Sequence, residues 1–324
     1  KFVMYNFLML VFQLKRISFR EIGLKYTLSP YDEPVAYVKP KETIVVKTED
    51  ASSGQIKCEG DFRDRSKIPF GNPVIGPIYV EGAEKGRSIS VSIEEIKPAI
   101  GQGATWLSEF NERYLTSVPI FKFMKIGLPR KPKICKIKDG LVYFSDEIAI
   151  PYRPMIGTIG VAPYPEAESI SSGVLPGQHG GNMDLTDIGP ASTVFLPVFH
   201  DGALLYVGDV HAVQGDGEIS GTAVEMAAEV SIKIDLMEES INWPRIETDR
   251  EIMSVATTSA GRSLEDAIRI AFLELIMWME KEYGLDRFDG LMLCSQVGRV
   301  RVGNLWSVAA KIEKKYLKPY INRS

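Results

Sequence analysis

From Ile17 onward, apolar residues alternate with polar ones or gather in short Val/Ile-rich runs, broken about every ten residues by Pro, Gly or Asn, the signature of strands. VAYVKP, ETIVVKTED, GPIYVEG, SISVSIEEIKP, KICKIKDGLVYF and MIGTIGVAP read as strands in the first half; VFLPVF, ALLYVGDVHAV and EVSIKIDL follow in the second. Several end in Lys-Pro or Ala-Pro, where proline has no N–H to give to a ladder. In EVSIKIDL the set Val230, Ile232, Ile234 and Leu236 alternates with Ser231, Lys233 and Asp235, which puts one apolar face inward. GPIYVEGAEKGRSISVSI reads as strand, turn, strand, with Gly82 and Gly86 letting the chain reverse.

One stretch has the helical period. SLEDAIRIAFLELIMWMEKEYG carries Ser263 as N-cap, Glu265 and Asp266 in the first turn, Lys281 near the end and Gly284 just past it. From Ile270 to Met279 the only charge is Glu274, so this helix is expected to be covered on nearly all sides, by the sheet, a second helix or a symmetry mate. GLMLCSQVGRVRVGNLWSVAAKIE is expected to close the chain as further strands. The predicted fold is mainly β, with sandwich or barrel-like sheets and a smaller α+β portion carrying the long helix near residues 263–283. The expected organisation is a hydrophobic extension at 1–17, a β-rich half at 18–160, and a half at 161–324 with loop, strands and helix, the two halves packed as one unit.

Composition narrows the class. With 324 residues, 45% hydrophobic and 25% charged, the chain can bury a large core. A net charge of -4 argues against nucleic acid, which asks for a basic face, and against an anionic membrane. Cys58, Cys135 and Cys294 form no CxxC pair, so neither a disulfide framework nor a thiolate zinc cluster is indicated, and the expected location is the cytoplasm. The opening KFVMYNFLMLVFQL is shorter than the roughly 20 apolar residues of a membrane helix, which leaves a hydrophobic arm on a partner subunit or an upstream extension from a misassigned start. Trp106 and Phe110 in ATWLSEF read as core-covering aromatics, and Arg130 and Lys131 as a solvated turn.

Candidate chemistry gathers between Gly177 and Glu225. All three histidines, His179, His200 and His211, lie there among Asn182, Asp184, Asp209, Gln214, Asp216, Glu218 and Glu225. Imidazole and carboxylate are the usual ligands of a divalent metal. In VGDVHAV, Asp209 and His211 leave the same face of a strand and can grip one ion, with His179 and a carboxylate brought in from elsewhere. Gln214, Asp216 and Glu218 continue the alternation and can serve as ligands, a general base or acceptors for an amide. His200, before Asp201-Gly202, reads as a hairpin turn residue. Glu225, alone in the apolar AVEMAAEV, needs a metal, an arginine or hydrogen bonds if buried. No GxSxG, P-loop, GxGxxG or HExxH occurs, so metal-assisted hydrolysis is the reaction class most compatible with the set.

Through GQHGGNMD (177–184), GALLYVGDVHAVQGDGEISGTAVE (202–225), GPIYVEGAEKGRSISVSI (76–93), TIGVAP (158–163) and EDASSGQI (49–56), the sequence resembles the acetamidase/formamidase family. The resemblance runs from about residue 18 to the C-terminus. It implies hydrolysis of short aliphatic amides to carboxylate and ammonia, a divalent metal (zinc or calcium) and a homodimer or larger assembly. Carried over onto these motifs, Glu218 and Asp216 are expected to be catalytic and Asn182 and Gln214 to bind substrate. Asp50, His179, Asp184, Asp209 and His211 are expected to hold the metal. VGRVRV departs from a family pattern closer to GDLRI, placing Arg299 where an acid is expected. The alternative is a non-catalytic protein of the same fold that binds or senses small amides through its metal.

Overall fold

Two stacked β-sheets organise the computed structural model, which describes residues 14–107, 131–164, 168–173 and 176–318. The apolar run at 1–13, Phe110 and Arg130 lie outside the described residues. The larger sheet has nine strands in the order Lys15–Ser18, Thr43–Thr48, Ala228–Met237, Ser88–Pro98, Ser192–Pro197, Arg245–Glu247, Glu251–Thr257, Ser307–Glu313, Arg299–Val302. Only its first pair is parallel. The second has five strands in the order Gly180–Asn182, Met155–Gly160, Leu205–His211, Val74–Val80, Ala36–Val38. Between them lies one apolar layer in which Val91, Ile93, Val194 and Ile232 meet Ile78, Ile156, Val207 and Val210. Each sheet takes strands from both sides of residue 160.

Beyond the sandwich, the larger sheet uses its period of two to bury both faces. In Ser307–Glu313, Ala309 joins the inter-sheet core, while Val308, Ala310 and Ile312 join a second core under the helix Leu264–Tyr283. Met253 and Val255 divide in the same way from Ile252 and Ala256. The helix ends match the sequence reading: the Ser263 side chain accepts from Asp266 N–H, and Gly284 closes the helix in the left-handed conformation. Ala267, Ala271, Leu275 and Met279 pack into the second core.

Within the chain only part of the long helix is covered, and Leu273 and Met277 remain 56% and 46% exposed. Two expectations change. GLMLCSQ is helical rather than a strand: Arg287–Val297 is a second helix, capped by the Asp286 carboxylate accepting from Phe288 N–H and Asp289 N–H, and strand structure resumes at Arg299. Leu and Met have straight-chain helix propensity, and the local cap outweighs the apolar run. Finally, the two strand-turn-strand units are not hairpins. Val74–Val80 pairs with Leu205–His211, and Ser88–Pro98 pairs with Ser192–Pro197, so both connections cross from one sheet to the other. Among the described residues no helix is long and apolar enough to cross a membrane.

Ile93 is 1% exposed between the sheets, so Ile93→Ala should cost about 2–5 kcal/mol in a denaturant titration. Ser263→Ala, which removes the helix cap and the hydroxyl's bond to the Asp266 carboxylate, should cost about 1 kcal/mol in the same measurement.

Candidate active site

His211 ends the central strand of the smaller sheet and is wholly buried. Its Nδ1 lies 2.8 Å from Gln214 Oε1, and Gln214 Nε2 donates to the Asp184 carbonyl at 2.6 Å. That second bond fixes which end of the Gln214 amide is oxygen, so Nδ1 carries a proton and Nε2 is the nitrogen left to face the acid cluster. Nε2 faces Glu225 Oε2 at 3.0 Å and Asp209 Oδ1 at 3.4 Å. Neither of those oxygens nor Nε2 has a hydrogen-bond partner, and all three are buried. A lone pair facing two carboxylates at these distances repels both unless a cation or proton lies between them. The ligand atoms of Asp209, His211 and Glu225 lie within 4.8 Å of one another, as do those of Asp184, His211 and Glu218. Imidazole with buried carboxylates is a donor set that fits a divalent metal.

Side-chain amides steer two of the carboxylates, Asp209 and Asp184. Asn72 Nδ2 donates to Asp209 Oδ2 at 2.9 Å, leaving Oδ1 to face His211. Asn304 Nδ2 donates to Asp184 Oδ2 at 2.8 Å and to the Asn182 carbonyl at 2.8 Å. Thr158 donates to Asn182 Oδ1 at 2.7 Å. Such partners orient ligands about a metal. The backbone is bent for the same purpose: Asp184, Asp209 and Glu218 have φ of 48°, 56° and 42°. Asp209 does this inside a strand, so the ladder with Met155–Gly160 pairs Val210 and Gly208 but skips it. Left-handed residues other than glycine cost of order 1–3 kcal/mol each and persist where the surroundings hold them.

Gly157, opposite Asp209, makes the convergence possible. A Cβ there would sit 2.4 Å from Asp184 Oδ1 and 2.7 Å from Asp209 Oδ2. A cavity of about 220 Å³ reaches the centre, with Asn182, Glu218 and Glu225 on its inner wall and Trp106 and Trp306 among the residues around it.

The motifs and the geometry point the same way. The model of the Acetamidase/Formamidase family matches residues 29–172 and 164–258. The chain belongs to the acetamidase/formamidase family. It is 38% identical to an acetamidase from Yersinia enterocolitica of known structure, with a TM-score of 0.83 over 94% of this chain and 93% of that one. It is 28% identical to the acetamidase of Mycolicibacterium smegmatis over 62% of this chain and 63% of that protein. It is 27% identical to the formamidase of Methylophilus methylotrophus, over 64% of this chain and 62% of that protein. The chain thus spans just over six-tenths of the length of the curated relatives it matches.

In this acetamidase/formamidase chain the expected residues divide. Asp184, Asp209, His211 and Glu218 converge, and Asn182 lines the cavity beside them. Glu225 joins as a ligand-forming carboxylate; the sequence reading marked its need for a partner without placing it at the site. Gln214 is engaged at both ends of its amide. Past His211 the alternation gives way to turns, so Asp216 points outward to Arg301 at 2.6 Å while Glu218 turns in. Asp50 accepts from Ser52 N–H and Gly54 N–H at 2.7 and 3.2 Å, in its own turn. His179 is buried nearby in sequence but outside both groups of converging ligand atoms. His200 contacts the Pro163 carbonyl, and Arg299 pairs with Glu251 and Glu313. Trp106, read as a covering aromatic, lines the cavity. Asn72, Gly157 and Asn304 carried no signal in the sequence, since isolated Asn and Gly are ordinary turn and strand residues, and Thr158 stood out only as part of TIGVAP.

The electrostatics follow from burial and crowding. Burial, then the Asp209 charge, pushes Asp184 up to about 8, against the pull of His211. Burial and then Asp184 raise Glu218; burial raises Glu225, partly offset by His211. For His211, burial alone would strip the proton, but Glu225 and Asp209 together outweigh it and hold the ring's pKa well above its usual value. His179 has no such partner, and burial lowers it to about 4.

A divalent metal should raise the melting temperature of metal-free protein and a chelator should reverse it, because the ion relieves carboxylate repulsion and binds only the folded state. Gly157→Ala, which drives a methyl group into both carboxylates, should abolish that gain in a thermal melt. His179 supplies a separate pH test: its folded pKa of about 4 lies below the unfolded 6.5, so the unfolded chain binds the extra proton. Its contribution is complete above pH 6.5 and is lost as pH falls towards 4, by up to about 3 kcal/mol. His179→Gln should flatten the stability slope across that window.

Proposed function

We propose that the protein is a metal-dependent amidohydrolase that cleaves short aliphatic amides, formamide or acetamide, to carboxylate and ammonia. The observation that carries this reading is His211 Nε2, aimed at the partnerless oxygens of Asp209 and Glu225 beside a cavity walled by Glu218 and Asn182. Family membership and the amidases among its relatives support it.

Asp209, His211 and Glu225 would hold the ion, with Asp184 and Glu218 beside it. Zinc suits one imidazole and two carboxylates; calcium would draw on the wider ring of acid oxygens. When bound, a divalent cation supplies positive charge to a carbonyl oxygen and acidity to a water molecule. Glu218 takes the proton of the attacking water and passes it to the amide nitrogen as the C–N bond breaks. Its raised pKa, from burial and then Asp184, lets it keep that proton between the two transfers. Because Thr158 occupies Asn182 Oδ1, the Asn182 NH2 is the end available to donate to the carbonyl oxygen as charge builds there. Gln214 fixes the imidazole, and Asp216, through Arg301, anchors the loop that delivers Glu218. The reading also includes a cytoplasmic homo-oligomer, for which exposed Leu273, Met277, Phe288, Leu291 and Met292 on the two helices offer an apolar surface.

Purified protein supplied with zinc or calcium should release ammonia from formamide and acetamide. Glu218→Gln should cut kcat by at least about 100-fold while keeping the metal-dependent rise in melting temperature. No ammonia from formamide, acetamide or propionamide would sink the hydrolase; stabilisation by amides without turnover would instead identify a small-amide binding protein.

A further inference from the structure

The turn that carries Glu218 has no strand of its own. Between His211, where the central strand of the smaller sheet ends, and Glu225 the chain runs through turns. Glu218 N–H donates to the Gly215 carbonyl at 3.2 Å, and Gly221 N–H to the Glu218 carbonyl at 2.7 Å. Glu218 itself is held at φ 42°, in the left-handed region that a side chain enters only where its surroundings hold it. Support must therefore come from outside the turn.

It comes from the edge strand Arg299–Val302 and the residue after it. Gly217 N–H donates to the Gly303 carbonyl at 2.6 Å. Arg301 Nη1 donates to Asp216 Oδ1 at 2.6 Å and to Thr186 Oγ1 at 2.8 Å, while Nε lies 2.6 Å from Asp187 Oδ2. One guanidinium thus spans the loop that supplies Asp184 and the turn that supplies Glu218. On the inner side Gln214 joins the same two segments, through its bond to the Asp184 carbonyl. The Arg301–Asp216 pair would hold little by itself, since Asp216 is 53% exposed. Here the guanidinium is fixed from behind: Asp187 also faces Lys311 Nζ at 3.4 Å, Lys311 donates to Glu251 at 3.0 Å, and Glu251 takes Arg299. Lys311 is buried, and Asp187 and Glu251 nearly so. The planar fork is therefore oriented before it meets Asp216; a lysine, with its donors on one atom, could not stand at the Nε and Nη1 positions at once.

We propose that Arg301 is a positioning residue for amide hydrolysis: by tying Asp216 to Asp187 it sets where the Glu218 carboxylate stands relative to Asp184 and His211, without touching substrate. This rests on the reading of Glu218 as the group that takes and returns the proton. A base misplaced by about 1 Å loses up to about 100-fold in rate. Asp209, His211 and Glu225 do not depend on the tie, because the strand Leu205–His211, Asn72 and the Glu225 bridges to Ala104 and His211 hold them.

With metal supplied, Arg301→Gln should lower kcat on formamide by at least about tenfold, hold KM within about threefold, and keep the metal-dependent rise in melting temperature. In a Glu218→Gln background the same substitution should lower kcat by less than about twofold, since no base is left to position. Arg301→Lys, which keeps the charge and loses the fork, should recover no more than about threefold of the loss. Asp216→Asn, at a half-exposed position, should lower kcat by at least about threefold and serves as the test if Arg301→Gln fails to fold. An unchanged kcat, a rise in KM in place of the fall in kcat, or a loss that persists in full when residue 218 is already Gln would overturn the assignment. Amide hydrogen exchange gives a readout independent of turnover. In Arg301→Gln, or in Asp216→Asn, it should quicken by at least about tenfold at Gly217, Glu218 and Gly221 and stay unchanged in Leu205–His211. Faster exchange in a protein that releases no ammonia would retain the tie and reject the hydrolase; unchanged exchange rejects the tie whatever the turnover.

Discussion

Buried like charge is the constraint on which the rest of this structure depends. The carboxylates of Asp184, Asp209 and Glu225, with Glu218 beside them, surround a single imidazole in the interior, where each ion is costly and each neighbour of the same sign adds to the cost. The protein has committed Nδ1 of His211 to Gln214 and turned Nε2 into the cluster. A cation placed at that point would be held by these oxygens and would face the cavity.

Holding the cluster requires a rigid frame and local strain. The smaller sheet supplies Asp209 and His211 from one strand, Asn182 from its edge and Gly157 from the neighbour between them. Three of the acidic residues adopt left-handed backbone, and Asp209 breaks the ladder of its own strand to do so. Asn72 and Asn304 come from loops far apart in sequence, and each takes one carboxylate oxygen so that the other is presented. The inter-sheet core makes these positions tolerable, since closely packed Ile and Val leave the strands no alternative path.

Position along the chain and position in space diverge most at the two connections that look like hairpins. Gly82 and Gly86 do reverse the chain, and so does the turn at Asp201-Gly202, but each reversal carries it to the opposite layer. A turn signal records local backbone freedom and says nothing about which strand will be the partner. Asp216 and Glu218 show the same limit at the scale of a side chain. Two acids separated by one glycine were equivalent as a sequence; Arg301, from an edge strand far along the chain, draws one outward while the turn sends the other into the cavity.

What the sequence determined by itself is what local physics governs: strand periodicity, the caps and length of the long helix, and the gathering of imidazole and carboxylate between His179 and Glu225. The motifs GQHGGNMD and GDVHAVQGDGE were sufficient to indicate the family. Only the tertiary structure decided that Glu225 faces His211 beside Asp209, that Gly157 leaves the room for two carboxylates, and that Asn72 and Asn304 orient them. Those choices depend on contacts between residues tens to hundreds of positions apart, fixed by how the strands are ordered and layered, and no local pattern of hydrophobic and polar residues encodes that order.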